Sequence, residues 1–140
     1  MTLFLKNLLF TMVMPGTVAA TGPVRSLAAI AIAIGVCIYG WCLWDFATFG
    51  RGTPAPIDAP KKLVVRGLYR YTRNPMYVGA LTVILGWALL YRSGALLIYA
   101  VVVASVFRSF VVLYEEPHLE SVFGDEYAAY KGRVRRWLWR

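Results

Sequence analysis

Cysteine and histidine are almost missing from this sequence, with two of the first and one of the second among 140 residues. Cys37 and Cys42 fall five apart in one apolar run, with no second cluster to complete a metal-ligand spacing, and read as packing residues. His118 stands alone and reads as a surface or interface residue rather than a ligand. No glycine-rich phosphate loop, zinc pattern or Ser/His/Asp series is present, so the metal set is none, and chemistry by metal or covalent nucleophile has no visible support. Acidic residues are also scarce, seven against fifteen Lys and Arg, which leaves a net charge of +8. That excess does not imply a nucleic-acid partner. Six of the cations lie in Arg51 to Arg73 and five in Lys131 to Arg140, while the connections at Arg25 and Arg92 hold one each. Basic residues gathered in alternate connections follow the positive-inside pattern and place both segments in the cytoplasm, beside anionic headgroups.

What the chain has in quantity is apolar surface. Hydrophobic residues make up 59% of it and its mean hydropathy is +0.59, beyond the range of a soluble domain. Four apolar runs follow one another. Leu3 to Ala20 contains Lys6 and is broken by Pro15-Gly16, so it is a kinked span or a shorter segment, retained rather than cleaved as a leader. Val24 to Phe49 is long enough for the ~20 residues that cross a bilayer core, and its Trp41, Trp44, Phe46 and Phe49 suit an interface. The third runs from Pro75 to Tyr91 and the fourth from Ala95 to Tyr114, joined by the tight turn Arg92-Ser93-Gly94. The expected architecture is an all-α integral membrane protein of about four transmembrane helices plus an amphipathic cytoplasmic helix at the C-terminus. A single domain divides into N-terminal spans over 1–49, a cytoplasmic loop over 50–74, a hairpin over 75–114 and a covering helix over 115–140.

Two polar stretches interrupt this pattern. Lys61 to Tyr77, KKLVVRGLYRYTRNPMY, packs five cations and three tyrosines into seventeen residues. Its cations can meet an anion, its rings can stack on a flat heterocycle, and Asn74-Pro75 stops the backbone from continuing as helix. The second stretch, Glu115 to Val134, opens on a pair of carboxylates. Leu119, Phe123, Tyr127, Tyr130 and Val134 then recur at helical steps and predict one helix with an apolar stripe. Two crossings separate the stretches, so both end on the same side of the membrane and can form one pocket.

Leu63-Val64, Gly67-Leu68-Tyr69, Arg73-Asn74-Pro75-Met76-Tyr77, Glu115-Glu116, Leu119, Phe123-Gly124-Asp125-Glu126-Tyr127 and Tyr130 stand in an order and spacing that resembles the isoprenylcysteine carboxyl methyltransferase and phospholipid methyltransferase family of integral membrane enzymes. The resemblance covers roughly residues 50 to 137. It implies S-adenosylmethionine as methyl donor and a lipophilic or amphiphilic acceptor reached from the bilayer, either the carboxylate of a prenylcysteine-like compound or the amine of a phospholipid. It also implies an inner, cytoplasmic bacterial membrane, with loop 50–74 and the C-terminus facing the cytoplasm. Carried over by position, the donor contacts fall on Lys61, Lys62, Leu63, Val64, Tyr69, Asn74, Pro75, Met76, Tyr77 and Glu115. Arg73, Arg108 and Glu116 are the catalytic candidates. Arg73 would pair with the donor carboxylate or brace the glutamates, and Glu116 would keep an amine unprotonated.

Three positions depart from the family pattern. Lys61 and Asn74 stand where members often have histidine, and Val111 stands where the prenylcysteine enzymes place an arginine one turn before the glutamate pair. Arg108 is the nearest replacement, and an arginine inside a span is costly enough to imply a role. Two other functions fit less of the sequence: a non-enzymatic membrane scaffold, and a NADPH-dependent enzyme similar to the C-terminal region of sterol reductases. Gly79 and Gly86, seven apart, would permit close helix packing, and a homodimer that completes the wall around a lipid is left open.

Overall fold

A computed structural model describes residues 22–50 and 62–138. Every regular element among them is helical. Helix α1, Pro23–Asp45, begins with proline in its first turn, where the missing N–H is not needed, and continues as the wider π turn Phe46–Gly50. Residues 62–66 are non-helical and lead into the short 3-10 turn Gly67–Arg70. Helix α2, Pro75–Leu90, again opens on proline. A tight turn with Arg92 at φ 48° reverses the chain, and the Ser93 hydroxyl caps α3, Gly94–Phe110, by accepting from Leu96 N–H at 3.3 Å.

Past α3 the structure departs from expectation. The fourth apolar run does not end at Tyr114: the helical path carries on through the π turn Val111–Glu115 into α4, Glu116–Phe123. The tail is not one helix either. Gly124, at φ 49°, breaks it, and α5, Asp125–Arg133, sets off in a new direction. The apolar stripe survives the break, because Tyr127 and Tyr130 are buried and Leu119, Phe123 and Val134 are partly so.

Two of the helical stretches, Pro23–Gly50 and Gly94–Phe123, are long and apolar enough to cross a membrane. Helix α2 is apolar but shorter, 16 residues or about 24 Å. The expected span Leu3 to Ala20 lies outside the described residues, and so does most of the Gly50 to Pro60 loop. The described residues are thus all-helical, with two candidate spans and the shorter apolar helix α2.

The core forms where α1 meets α2. A Cβ placed on Gly35 would sit 2.7 Å from the Gly79 carbonyl oxygen, and one on Gly86 would sit 3.2 Å from that of Ala28. The two backbones therefore touch, with Ala28, Ala80 and Val83 filling the seam. Gly79 and Gly86, which the sequence offered to a neighbouring helix, are used within this chain. Cys42 is buried in the same seam, but Cys37 is exposed and does not pack as expected. At one end of the seam a small apolar cluster of Cys42, Val64 and Tyr69, lined by Ile38, Phe46, Leu68 and Met76, ties the 62–70 loop onto both helices.

Candidate active site

The α2–α3 hairpin folds the start of α2 against the end of α3, so residues far apart in sequence become neighbours. Tyr77, in the first turn of α2, packs its ring on Phe107 of α3 at 4.6 Å between centroids. Its hydroxyl then reaches Glu115 and donates to Oε2 at 2.8 Å. The π turn sets this contact. One extra residue in the turn rotates Glu115 and Glu116 relative to the Phe107 face, and such turns recur at functional sites.

The two adjacent carboxylates have different surroundings. Glu116 is 6% exposed, which excludes a solvated helix-end group. Arg136 grips it with a two-pronged pair, Nε to Oε1 and Nη2 to Oε2, both at 2.8 Å. Arg73 Nη1 adds a contact to Oε1 at 3.0 Å and lies 3.4 Å from the Tyr127 hydroxyl. Both oxygens of Glu116 are thus engaged by guanidinium groups. Glu115 is partly buried and makes no ion pair among the described residues. Its partner among the described residues is the Tyr77 hydroxyl.

The loop supplies the third side. Tyr69 is 6% exposed, and its ring stands edge-on to Phe46 at 5.5 Å. Burial first, then the nearby Cys42 thiol and Glu115 carboxylate, push its phenol well above the usual tyrosine range, so it stays a neutral hydroxyl. Its carbonyl accepts from the Tyr130 hydroxyl at 2.7 Å. Burial raises the Tyr130 and Tyr127 phenols as well. The expected meeting of loop and tail is therefore made by Tyr69, Arg73 and Tyr77 on one side and Glu115, Glu116, Tyr127 and Tyr130 on the other.

Other expected residues take other positions. Val64 is buried and Leu63 partly buried, as packing contacts require. Pro75 is fully buried, and Met76 lies on the Cys42 cluster. Asn74 is buried with its amide turned toward the tail, donating to the Arg136 carbonyl at 2.9 Å. Lys62 is exposed, and Lys61 lies outside the described residues. Arg108 is exposed beside the buried Phe107, about two helical turns from Glu115, and joins none of these contacts. Val111 is 1% exposed.

In three places the structure goes beyond what the sequence shows. Arg136 was one cation in a basic tail, and nothing in its neighbourhood singled it out. Tyr127 and Tyr130 stood out for apolar spacing and for their place in the family motif, without a role, and both use their hydroxyls. Asp45, at the end of α1, is buried and pairs with Arg66 at 3.6 Å, while Arg66 also covers the Phe49 ring at 3.4 Å.

A family profile described as phospholipid methyltransferase matches residues 24–126, which includes α1, the loop, the hairpin and both glutamates. The chain belongs to the phospholipid methyltransferase family. Relatives include a phosphatidylethanolamine N-methyltransferase of Talaromyces marneffei, 32% identical over 116 residues, or 79% of this chain. One of the same name from Aspergillus clavatus is 30% identical over 61% of the chain. The match spans only 11% of the Talaromyces protein and 8% of the Aspergillus one. An uncharacterized protein of Haemophilus influenzae is 40% identical over 63 residues, which cover 45% of this chain and all of that protein. No solved structure matches. The matched segment contains Tyr69, Arg73, Tyr77, Glu115 and Glu116, while Tyr127, Tyr130 and Arg136 lie beyond it.

Proposed function

We propose that this membrane protein is an S-adenosylmethionine-dependent methyltransferase whose acceptor is the amine headgroup of a phospholipid, with loop 62–74 and the tail on the cytoplasmic face. The observation that carries the reading is the Tyr77–Glu115 pair, a partly buried carboxylate held by a hydroxyl and without an ion pair among the described residues, beside a twin that two arginines already neutralise. Leaving a desolvated carboxylate unpaired is costly, and a cationic ligand relieves that cost. The donor carries an ammonium and a sulfonium, and the amine acceptor carries an ammonium, so both fit this position.

Bound there, S-adenosylmethionine supplies a methyl group already activated for transfer. The chain's own residues align and desolvate. Tyr77 fixes Glu115 through Oε2 and leaves Oε1 for a hydrogen bond or proton from a ligand ammonium. Tyr69 and Tyr77 offer rings and neutral hydroxyls, and Lys62, Leu63 and Val64 form the nearby loop wall. Arg73 serves by bracing Glu116. With both of its oxygens engaged, Glu116 is better suited to hold that arginine than to take a proton from an amine. Arg108, exposed on α3, is available to the acceptor's phosphate. An amine is favoured over a prenylcysteine carboxylate on two grounds: the fungal relatives bear the name phosphatidylethanolamine N-methyltransferase, and the position of the prenylcysteine enzymes' arginine holds a buried valine.

The test is calorimetric titration of the purified chain with S-adenosylmethionine in nanodiscs, followed by incubation with methyl-labelled donor in discs containing phosphatidylethanolamine and mass analysis of the lipids. Saturable binding and a labelled N-methyl lipid are expected. Absence of binding at millimolar donor, in detergent and in nanodiscs alike, overturns the proposal.

A further inference from the structure

After α5 the chain does not drift away. Val134 is extended, and residues 134–136 lie parallel to residues 72–74. Arg73 N–H donates to the Arg135 carbonyl at 2.8 Å. The Arg136 carbonyl accepts from the Asn74 amide at 2.9 Å and from the Thr72 hydroxyl at 3.1 Å. The Arg136 side chain then crosses to Glu116 with its two-pronged pair, and Arg73 meets the same carboxylate from the opposite strand. Hydrogen bonding to Glu116 holds the Arg136 guanidinium more firmly in its charged form. Residue 136 thus joins, through one backbone carbonyl and one side chain, the segment just before α2 and the segment just after the π turn. Tyr77 begins three residues beyond Asn74, and Glu115 is the immediate neighbour of Glu116.

We propose that Arg136 is a positioning residue, which fixes the separation between the start of α2 and the end of the π turn and so holds Tyr77 and Glu115 at hydrogen-bonding distance. The inference rests on the reading of that pair as the donor site. A forked guanidinium on a carboxylate fixes orientation as well as distance, which a lysine cannot do. Supporting contacts of this kind change affinity or turnover by about 10- to 100-fold when lost, although they touch no ligand.

Arg136→Ala is expected to leave the protein folded, because Arg73 remains on Glu116 and the carboxylate is not orphaned. Two measurements test the role. Amide exchange in the absence of donor should rise at residues 72–76 by about tenfold or more, with the α2 seam at 79–88 unchanged. Donor affinity by calorimetry should fall by about tenfold, with Arg136→Lys falling nearly as far. The loss should also depend on Tyr77. In a Tyr77→Phe background, Arg136→Ala should add little, because the contact it positions is already gone, whereas a merely structural role would add its effect in full. Unchanged exchange at 72–76, unchanged donor affinity, rescue by lysine, or full additivity with Tyr77→Phe would each overturn the inference. Failure of the parent chain to bind donor would instead overturn the proposed function and take with it the link from Arg136 to that site, while the exchange result would still report whether the strap is held.

Discussion

Replacing Gly35 by alanine adds one methyl group where two backbones meet. Its Cβ would stand 2.7 Å from the Gly79 carbonyl oxygen, 2.7 Å from Val83 Cγ2 and 2.8 Å from Val83 N. Val83 Cγ2 can rotate away, but the other two atoms belong to the α2 backbone and move only with the helix. To restore ordinary contact α2 must back off by roughly 0.7 Å, which weakens packing along the seam. Overpacking of this kind costs about 1–3 kcal/mol, a factor of about 5–150 in the folded population. Gly40, one turn further along α1, has nothing within 4 Å of its Cβ position, so Gly40→Ala should be neutral or slightly stabilising through helix propensity. The assay is thermal unfolding in detergent followed by tryptophan fluorescence. Gly35→Ala should melt several degrees below the parent and Gly40→Ala at or above it. Equal melting of the two variants would refute the claim that α1 and α2 meet backbone to backbone.

Glu115→Gln removes the carboxylate that the Tyr77 hydroxyl holds and should weaken donor binding by about tenfold or more, and Tyr77→Phe should do so by a similar factor, both read by calorimetry. Arg108→Ala should leave donor affinity unchanged and lower turnover on phosphatidylethanolamine, since Arg108 is exposed and apart from the Tyr77–Glu115 contact. Gly67→Ala should lose about 2 kcal/mol or more in melting experiments, because Gly67 sits at φ 57° and a Cβ there would collide with the buried Asp45 carboxylate. Gly124→Ala, at φ 49° but with open space around it, should lose about 1–2 kcal/mol from backbone strain alone.

Long apolar runs made the helices legible, because a chain segment can face lipid only as a helix that satisfies its own backbone. The limits of Val24 to Phe49 and Pro75 to Tyr91 fall within a residue or so of the helical paths found. The end of the fourth run was harder to place. Nothing in Val111-Val112-Leu113-Tyr114 announces a π turn, since the run is apolar on all sides and any helical pitch buries it equally well. The break at Gly124 was hidden for a related reason. Residues before and after it face the same core, so their spacing satisfied a continuous helix while the backbone turned.

The site was legible where topology alone brought residues together and obscure where a path through space decided. A helical hairpin must return Glu115 to the end where Tyr77 stands, whichever residues line it, and the 2.8 Å hydrogen bond follows from that return. Arg136 obeys no such rule, because its place on Glu116 depends on the redirection at Gly124 and on Val134 becoming extended. The difference bears on which glutamate acts. Glu115 and Glu116 are chemically identical and adjacent, so sequence could divide roles between them only by analogy. The partners divide them physically: two guanidinium groups on Glu116 supply the counter-charge that its burial demands, while Glu115 has the Tyr77 hydroxyl and no ion pair among the described residues. In the proposed function, Glu115 is therefore the one of the pair that meets a cation from outside the chain.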